Sequence, residues 1–130
     1  MQSSFPSRRC SLSRYPQHRT VLSVGTVTEL LSLRAAILQS VGYAVFSTAD
    51  LDEAASKLRS GSCGVLLLCY SLSDEWREKL ISLFRESCPN GRIVGIANRP
   101  IVQSPQDVNE VVLGIEGPEA LIDAVKRNAA

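Results

Sequence analysis

Two kinds of apolar pattern alternate along the chain. Short runs rich in aliphatic and β-branched residues occupy Thr20 to Val24, Ala44 to Thr48, Arg92 to Ala97 and Glu110 to Ile115. Between them, apolar residues recur every three or four positions. The first kind reads as strands and the second as amphipathic helices. One stretch, Gly64 to Ser73, departs from both. Val65 to Leu68 are four large aliphatic residues with no polar break, the pattern of a parallel strand covered on both faces. That run leads into Cys69, Tyr70, Ser71 and Ser73 before a charged helix begins.

The helix ends are written in the sequence. Thr26 and Glu29 have capping-box spacing. Leu30, Leu33, Ile37 and Val41, flanked by Leu31 and Leu38, predict the buried stripe of a helix over 28–41 that stops at Gly42. Asp50 is the expected cap of a second helix, with Ala54, Ala55 and Leu58 facing inward and Gly61 at its end. Ser73 or Ser71 caps a third, whose stripe is Trp76, Leu80, Leu83 and Phe84, with core packing expected for Trp76. Pro89 to Gly91 is a turn, and Pro100 and Pro105 leave 98–109 space for a turn or two of helix at most. Pro118 opens the last helix at its first position, with Ala120, Leu121, Ala124 and Val125 inward.

Strands alternating with helices imply a parallel sheet covered on both sides. Right-handed crossovers then predict an α/β flavodoxin-like three-layer sandwich of five strands in the order 2-1-3-4-5, with a shortened fourth helix. One domain over 20–130 is expected, preceded by a disordered basic tail over 1–19.

Charge sharpens this division. The 130 residues carry a net +1, yet the first 20 hold Arg8, Arg9, Arg14 and Arg19 and no acid. Setting those four aside leaves 10 basic residues against 13 acidic ones, a net of −3 for the remainder. A domain of that sign is no footprint for nucleic acid, so an anionic partner would have to meet the tail. The tail also has the Arg- and Ser-rich, acid-free character of a transit peptide, and no apolar core of a secretory signal. No apolar run approaches the ~20 residues of a membrane span, so no membrane insertion is expected. Cys10, Cys63, Cys69 and Cys88 form no Cys-x-x-Cys pair, and His18 is the single histidine, which argues against zinc. Cys63 and Cys69 sit at opposite ends of one strand, about 20 Å apart at ordinary rise, too far to bridge. Reduced thiols in a cytoplasmic protein are expected.

Several stretches resemble the receiver domain of two-component response regulators. They are Val21 to Val24, Glu29 to Arg34, Leu38 to Tyr43, Thr48 to Ala54, Val65 to Leu68 and Pro118 to Leu121. The resemblance spans about 20–127 and rests mostly on scaffold positions. It implies phosphoryl transfer to an aspartate beside magnesium, a Thr or Ser after the fourth strand, and a Lys after the fifth. This chain departs from that pattern at each position. Gly25 and Thr26 stand where the acidic pair is implied, Cys69 where the acceptor is, Ala97 (or Ile96 in a shifted register) at the Thr or Ser, and Gly114 at the Lys. Magnesium needs hard oxygen ligands, and a thiolate is a soft one. The expectation is therefore a degenerate pseudo-receiver with no metal, no cofactor and no enzymatic activity.

Other features carry alternatives. Cys69 near a helix start has the makings of a reactive or redox-sensing thiol, although no His or Lys is placed by sequence as its base. Asp74 and Glu75 read as helix-start charges rather than metal ligands. Thr26, Thr28, Ser71, Ser73 and Asn98 offer hydrogen bonds to a small ligand at the carboxyl-end crevice. Ile101 and Val102, with Val111, form an expected interaction face, for a protein partner or a second copy in a homodimer. No output domain is legible after the receiver-like part, so output is expected to pass through a partner in a bacterial-type signalling pathway.

Overall fold

The computed structural model describes residues 19–97 and 108–129. Five strands, β1 (Thr20–Val24), β2 (Ala44–Thr48), β3 (Val65–Cys69), β4 (Arg92–Ala97) and β5 (Glu110–Leu113), form one sheet in the order β2-β1-β3-β4-β5. Each neighbouring pair is parallel. Four helices, α1 (Thr28–Gln39), α2 (Leu51–Arg59), α3 (Asp74–Ser87) and α4 (Pro118–Ala129), complete the CheY-like flavodoxin fold. The predicted tail, together with Ile101, Val102 and the shortened fourth helix, lies outside the described residues.

The strand run read as central is buried at all five positions. Alternate residues of β3 supply the two sides of the sheet, because successive side chains point to opposite faces. Leu66 and Leu68 meet Ala54 and Leu58 of α2 and Leu80, Ile81 and Phe84 of α3. Val65 and Leu67 meet Leu38 of α1 and Leu121, Ala124 and Val125 of α4. A solid three-layer core results. Two predicted caps are in place. Asp50 accepts hydrogen bonds from the N–H groups of Asp52 and Glu53, and Ser73 accepts one from that of Trp76.

Three local readings need correction. The capping box at Thr26 does not form: α1 starts at Thr28 after an uncapped Val27. The Thr26 N–H instead donates to the Ser71 hydroxyl, 3.1 Å away on the β3–α3 loop. The inward face of α1 is Leu31, Arg34 and Leu38, not the predicted stripe, and Leu33 is 56% exposed. Trp76 is only half-buried and belongs to neither core cluster, with the Lys79 ammonium 4.8 Å over its ring. In addition, β5 ends at Leu113 and gives way to a 3-10 turn over Gly114–Glu116.

Candidate functional site

The carboxyl ends of β1, β3, β4 and β5 make the rim on which an open α/β sheet carries its chemistry. Strand register decides which positions meet. Val24 pairs with Leu68, so Gly25 comes level with Cys69. The approach is tight: a Cβ built on Gly25 would lie 2.9 Å from the Cys69 Cβ and 3.6 Å from its sulfur. Gly25 is also held from the other side, its N–H donating to the Thr48 carbonyl at 3.3 Å. Thr26 is tied to Ser71 by the hydrogen bond already described. Gly25, Thr26, Cys69 and Ser71 are thus one connected corner.

Ala97 and Gly114 lie further along the rim. Cys69 pairs with Ile96 rather than Ala97, and Ala97 pairs with Leu113. A Cβ on Gly114 would stand 3.7 Å from the Ala97 carbonyl oxygen and 3.8 Å from Ile96 Cγ2. The two positions therefore face each other, with Ile96 between them and Cys69. Val111, on β5, is half-buried beside Gly95 and Val108.

The acids nearest the rim are engaged in local structure. Asp50 caps α2, and Glu53 accepts the Thr48 hydroxyl at 2.5 Å. Asp74 is ion-paired with Arg77, and Glu75 with Lys79. Among the described residues, no three His, Cys, Asp or Glu side chains gather where a metal could sit.

Sequence reasoning missed the charged group that does reach this corner. Arg34 of α1 is buried, 8% exposed, and its guanidinium lies near enough to Cys69 to act on it electrostatically. Cys69 is itself 2% exposed. Burial alone would push its thiol up. The side chain and backbone of Ser71, then the Arg34 guanidinium, outweigh burial and hold the thiol below its ordinary value. The signal for Arg34 was present in its spacing, since Leu31, Arg34 and Leu38 fall on one helical face.

Comparison with known proteins bears on the fold. No family profile matches the sequence, and no curated protein matches it. Among solved structures, the chain is similar to the chemotaxis protein CheY4 of Vibrio cholerae. The two are 18% identical over 84% of this chain and 97% of that one, with a TM-score of 0.74. A CheY-like response regulator receiver domain from Methanospirillum hungatei is 17% identical, over 85% of this chain and 93% of that one, with a TM-score of 0.72. The response regulator TrrA of Thermotoga maritima, solved in complex with Mg2+ and BeF, is 19% identical, over 84% of this chain and 97% of that one, also with a TM-score of 0.72.

Proposed function

We propose that this chain is a receiver-like signalling module that works without phosphorylation, through contact with a protein partner. The reading rests on one observation: the corner implied to hold an acidic, metal-binding cluster is built from Gly25, Thr26 and Cys69, with a buried arginine behind it. Magnesium binds through carboxylate and carbonyl oxygens and is repelled by a neighbouring guanidinium. Without the metal, the charge that develops on a transferring phosphoryl group has no counter-charge. On this reading the chain has no enzymatic activity of its own. No helix among the described residues is long and apolar enough to cross a membrane. Ile101 and Val102, with Val111 of β5, are the proposed contact residues.

Incubation of the whole chain with acetyl phosphate and Mg2+, followed by intact-mass analysis, tests the proposal. The expected spectrum is that of the unmodified chain, with no change in melting temperature on adding Mg2+ and beryllofluoride. A stable phosphoryl adduct on any residue of the rim overturns it.

The depressed Cys69 thiol favours a second reading, a redox-sensing cysteine. Its 2% exposure works against that reading, because oxidants must reach the sulfur. Rapid, selective oxidation of Cys69 by dilute hydrogen peroxide, with Cys63 and Cys88 untouched, is the result that supports it.

A further inference from the structure

Between the amino half of α1 and the start of α4 lies a partly open pocket of about 170 Å3. Leu30, Leu33 and Ile37 form one wall, and Ile96, Val112 and Leu121 the other. Gly114, Gly117 and Pro118 close its end, where α4 begins. Among the described residues of the lining, Arg34 is the one charged side chain.

Arg34 is more than nine-tenths buried, and its Nη1 has no hydrogen-bond partner among the described residues. A guanidinium cannot relieve this by giving up a proton, since it stays charged at every accessible pH. Arg34 therefore brings a fixed positive charge to the pocket lining, and its Nη1, closed off from solvent, is an unmet donor among apolar groups, an arrangement that is costly when left alone. The amino end of α4 adds partial positive charge from the side of Gly117 and Pro118. A planar oxyanion matches the guanidinium fork. The apolar walls require that the oxyanion bring a hydrocarbon body with it. A cavity of roughly 150 Å3 accepts benzene, so this one has room for a six-carbon ring or chain bearing a single acid group.

We propose that this pocket binds a small monocarboxylate with an apolar body, its carboxylate on Arg34 and its hydrocarbon between α1 and α4. Free phosphate fits poorly, because it is strongly hydrated and has nothing to place against the leucines. A ligand there would lie beside Ile96, the strand neighbour of Cys69. The site does not depend on the proposed protein contact, and its failure leaves that reading intact.

Benzoate and hexanoate, their neutral counterparts benzamide and hexanamide, and inorganic phosphate are titrated separately into the full 130-residue chain. Amide chemical shifts and melting temperature are followed. The expected result is saturable shifts for the acids at Arg34, Gly114, Gly117 and Leu121, with the neutral amides at least about tenfold weaker. Arg34→Met, which keeps the apolar stem, is expected to lose acid binding by tenfold or more. Acids and amides binding equally well overturn the proposal, as does Arg34→Met binding like wild type. Saturation by phosphate alone, or no shift at tens of millimolar acid, overturns it too. If Arg34→Met fails to fold, the acid-to-amide ratio on the wild-type chain decides.

Discussion

Gly25→Ala is the perturbation that probes the site most directly. The added Cβ would stand 2.9 Å from the Cys69 Cβ and 3.5 Å from Leu31 Cδ2. Carbon atoms in contact prefer about 3.5–4.0 Å. The shortfall against Cys69 is therefore more than half an ångström, between two atoms rooted in the backbone. Neither strand yields readily: β1 is paired with β2 on one side and β3 on the other, and the Gly25 N–H is bonded to Thr48. Overpacking of this kind costs about 1–3 kcal/mol. Gly25 has no positive φ, so alanine brings no backbone strain and regains roughly 0.4–1 kcal/mol from the stiffer unfolded chain. The net expectation is a loss of about 1–2 kcal/mol, or roughly 4–10 °C in melting temperature for a domain of this size. Thermal and urea melts measure it, with Gly95→Ala as the control. At Gly95 the new Cβ meets Val111 Cγ2 at 3.9 Å, an ordinary contact, and the change is expected within about 0.5 kcal/mol of wild type. A third variant isolates the cause. In a Cys69→Gly background the clashing Cβ is gone, and the cost of Gly25→Ala should fall by half or more. A Gly25→Ala chain as stable as wild type, or an undiminished cost in the Cys69→Gly background, would refute the claim that residue 25 has no room for a side chain beside residue 69.

Three further outcomes follow from the same structure. Because the folded Cys69 thiol titrates below its unfolded value, it contributes stability that is present above the ordinary thiol range and lost as pH falls through the folded value. The stability difference between wild type and Cys69→Ser should therefore grow as pH rises toward ~9, and Ser71→Ala should shift the midpoint of iodoacetamide labelling at Cys69 upward. Glu110 is held low chiefly by Arg127; burial opposes this and Asn128 adds a smaller lowering, so its contribution is lost as pH falls below the ordinary carboxylate range. Urea melts of Glu110→Gln should accordingly lose less stability than wild type on acidification, and parallel acid limbs would contradict the pairing. The Asn109 side-chain oxygen accepts the N–H of fully buried Ile93 at 2.7 Å, so Asn109→Ala should cost about 1–2 kcal/mol and speed hydrogen exchange at Ile93.

The fold was legible because its determinants are local or strictly periodic. An unbroken aliphatic run can be satisfied only by a strand covered on both faces, and Val65 to Cys69 are buried at every position. Asp50 and Ser73 cap through bonds to N–H groups two or three residues away, which spacing reveals. The face of α1 was not legible, because Leu30, Leu31, Leu33, Ile37 and Leu38 spread apolar surface around most of the helix. Periodicity alone could not choose between the two stripes, and the choice fell on the one that excludes Arg34. The Thr26 cap failed for a different reason. Its partner, Ser71, is 45 residues away in sequence, and no local pattern announces such a bond. Of the rim positions, Gly25, Thr26 and Cys69 meet in one corner, whereas Ala97 and Gly114 meet each other, a pairing that depends on strand register. Ile101 and Val102 lie outside the described residues.

The architecture shows how this fold can keep its shape independently of what its rim carries. The two core clusters lie along the faces of the sheet, and their largest members, among them Leu22, Leu66 and Phe84 on one side and Leu38 on the other, owe nothing to the residues at positions 25, 26 and 114. Burial of aliphatic surface, which dominates stability, is therefore separable from whatever chemistry the strand ends carry. An acidic corner is a net cost to such a fold, because carboxylates crowded at a sheet edge repel one another unless a cation is bound. In this chain the charged side chain that reaches the corner is cationic. Gly25 leaves no space for a carboxylate beside Cys69, and Arg34 brings a positive charge to the same place from the flanking helix. The two features act together. A cationic side chain can be buried beside residue 69 when its neighbour is a thiol held low by hydrogen bonds. An aspartate introduced at position 69 alone would place its carboxylate beside Arg34, so the character of this corner is a property of the pair.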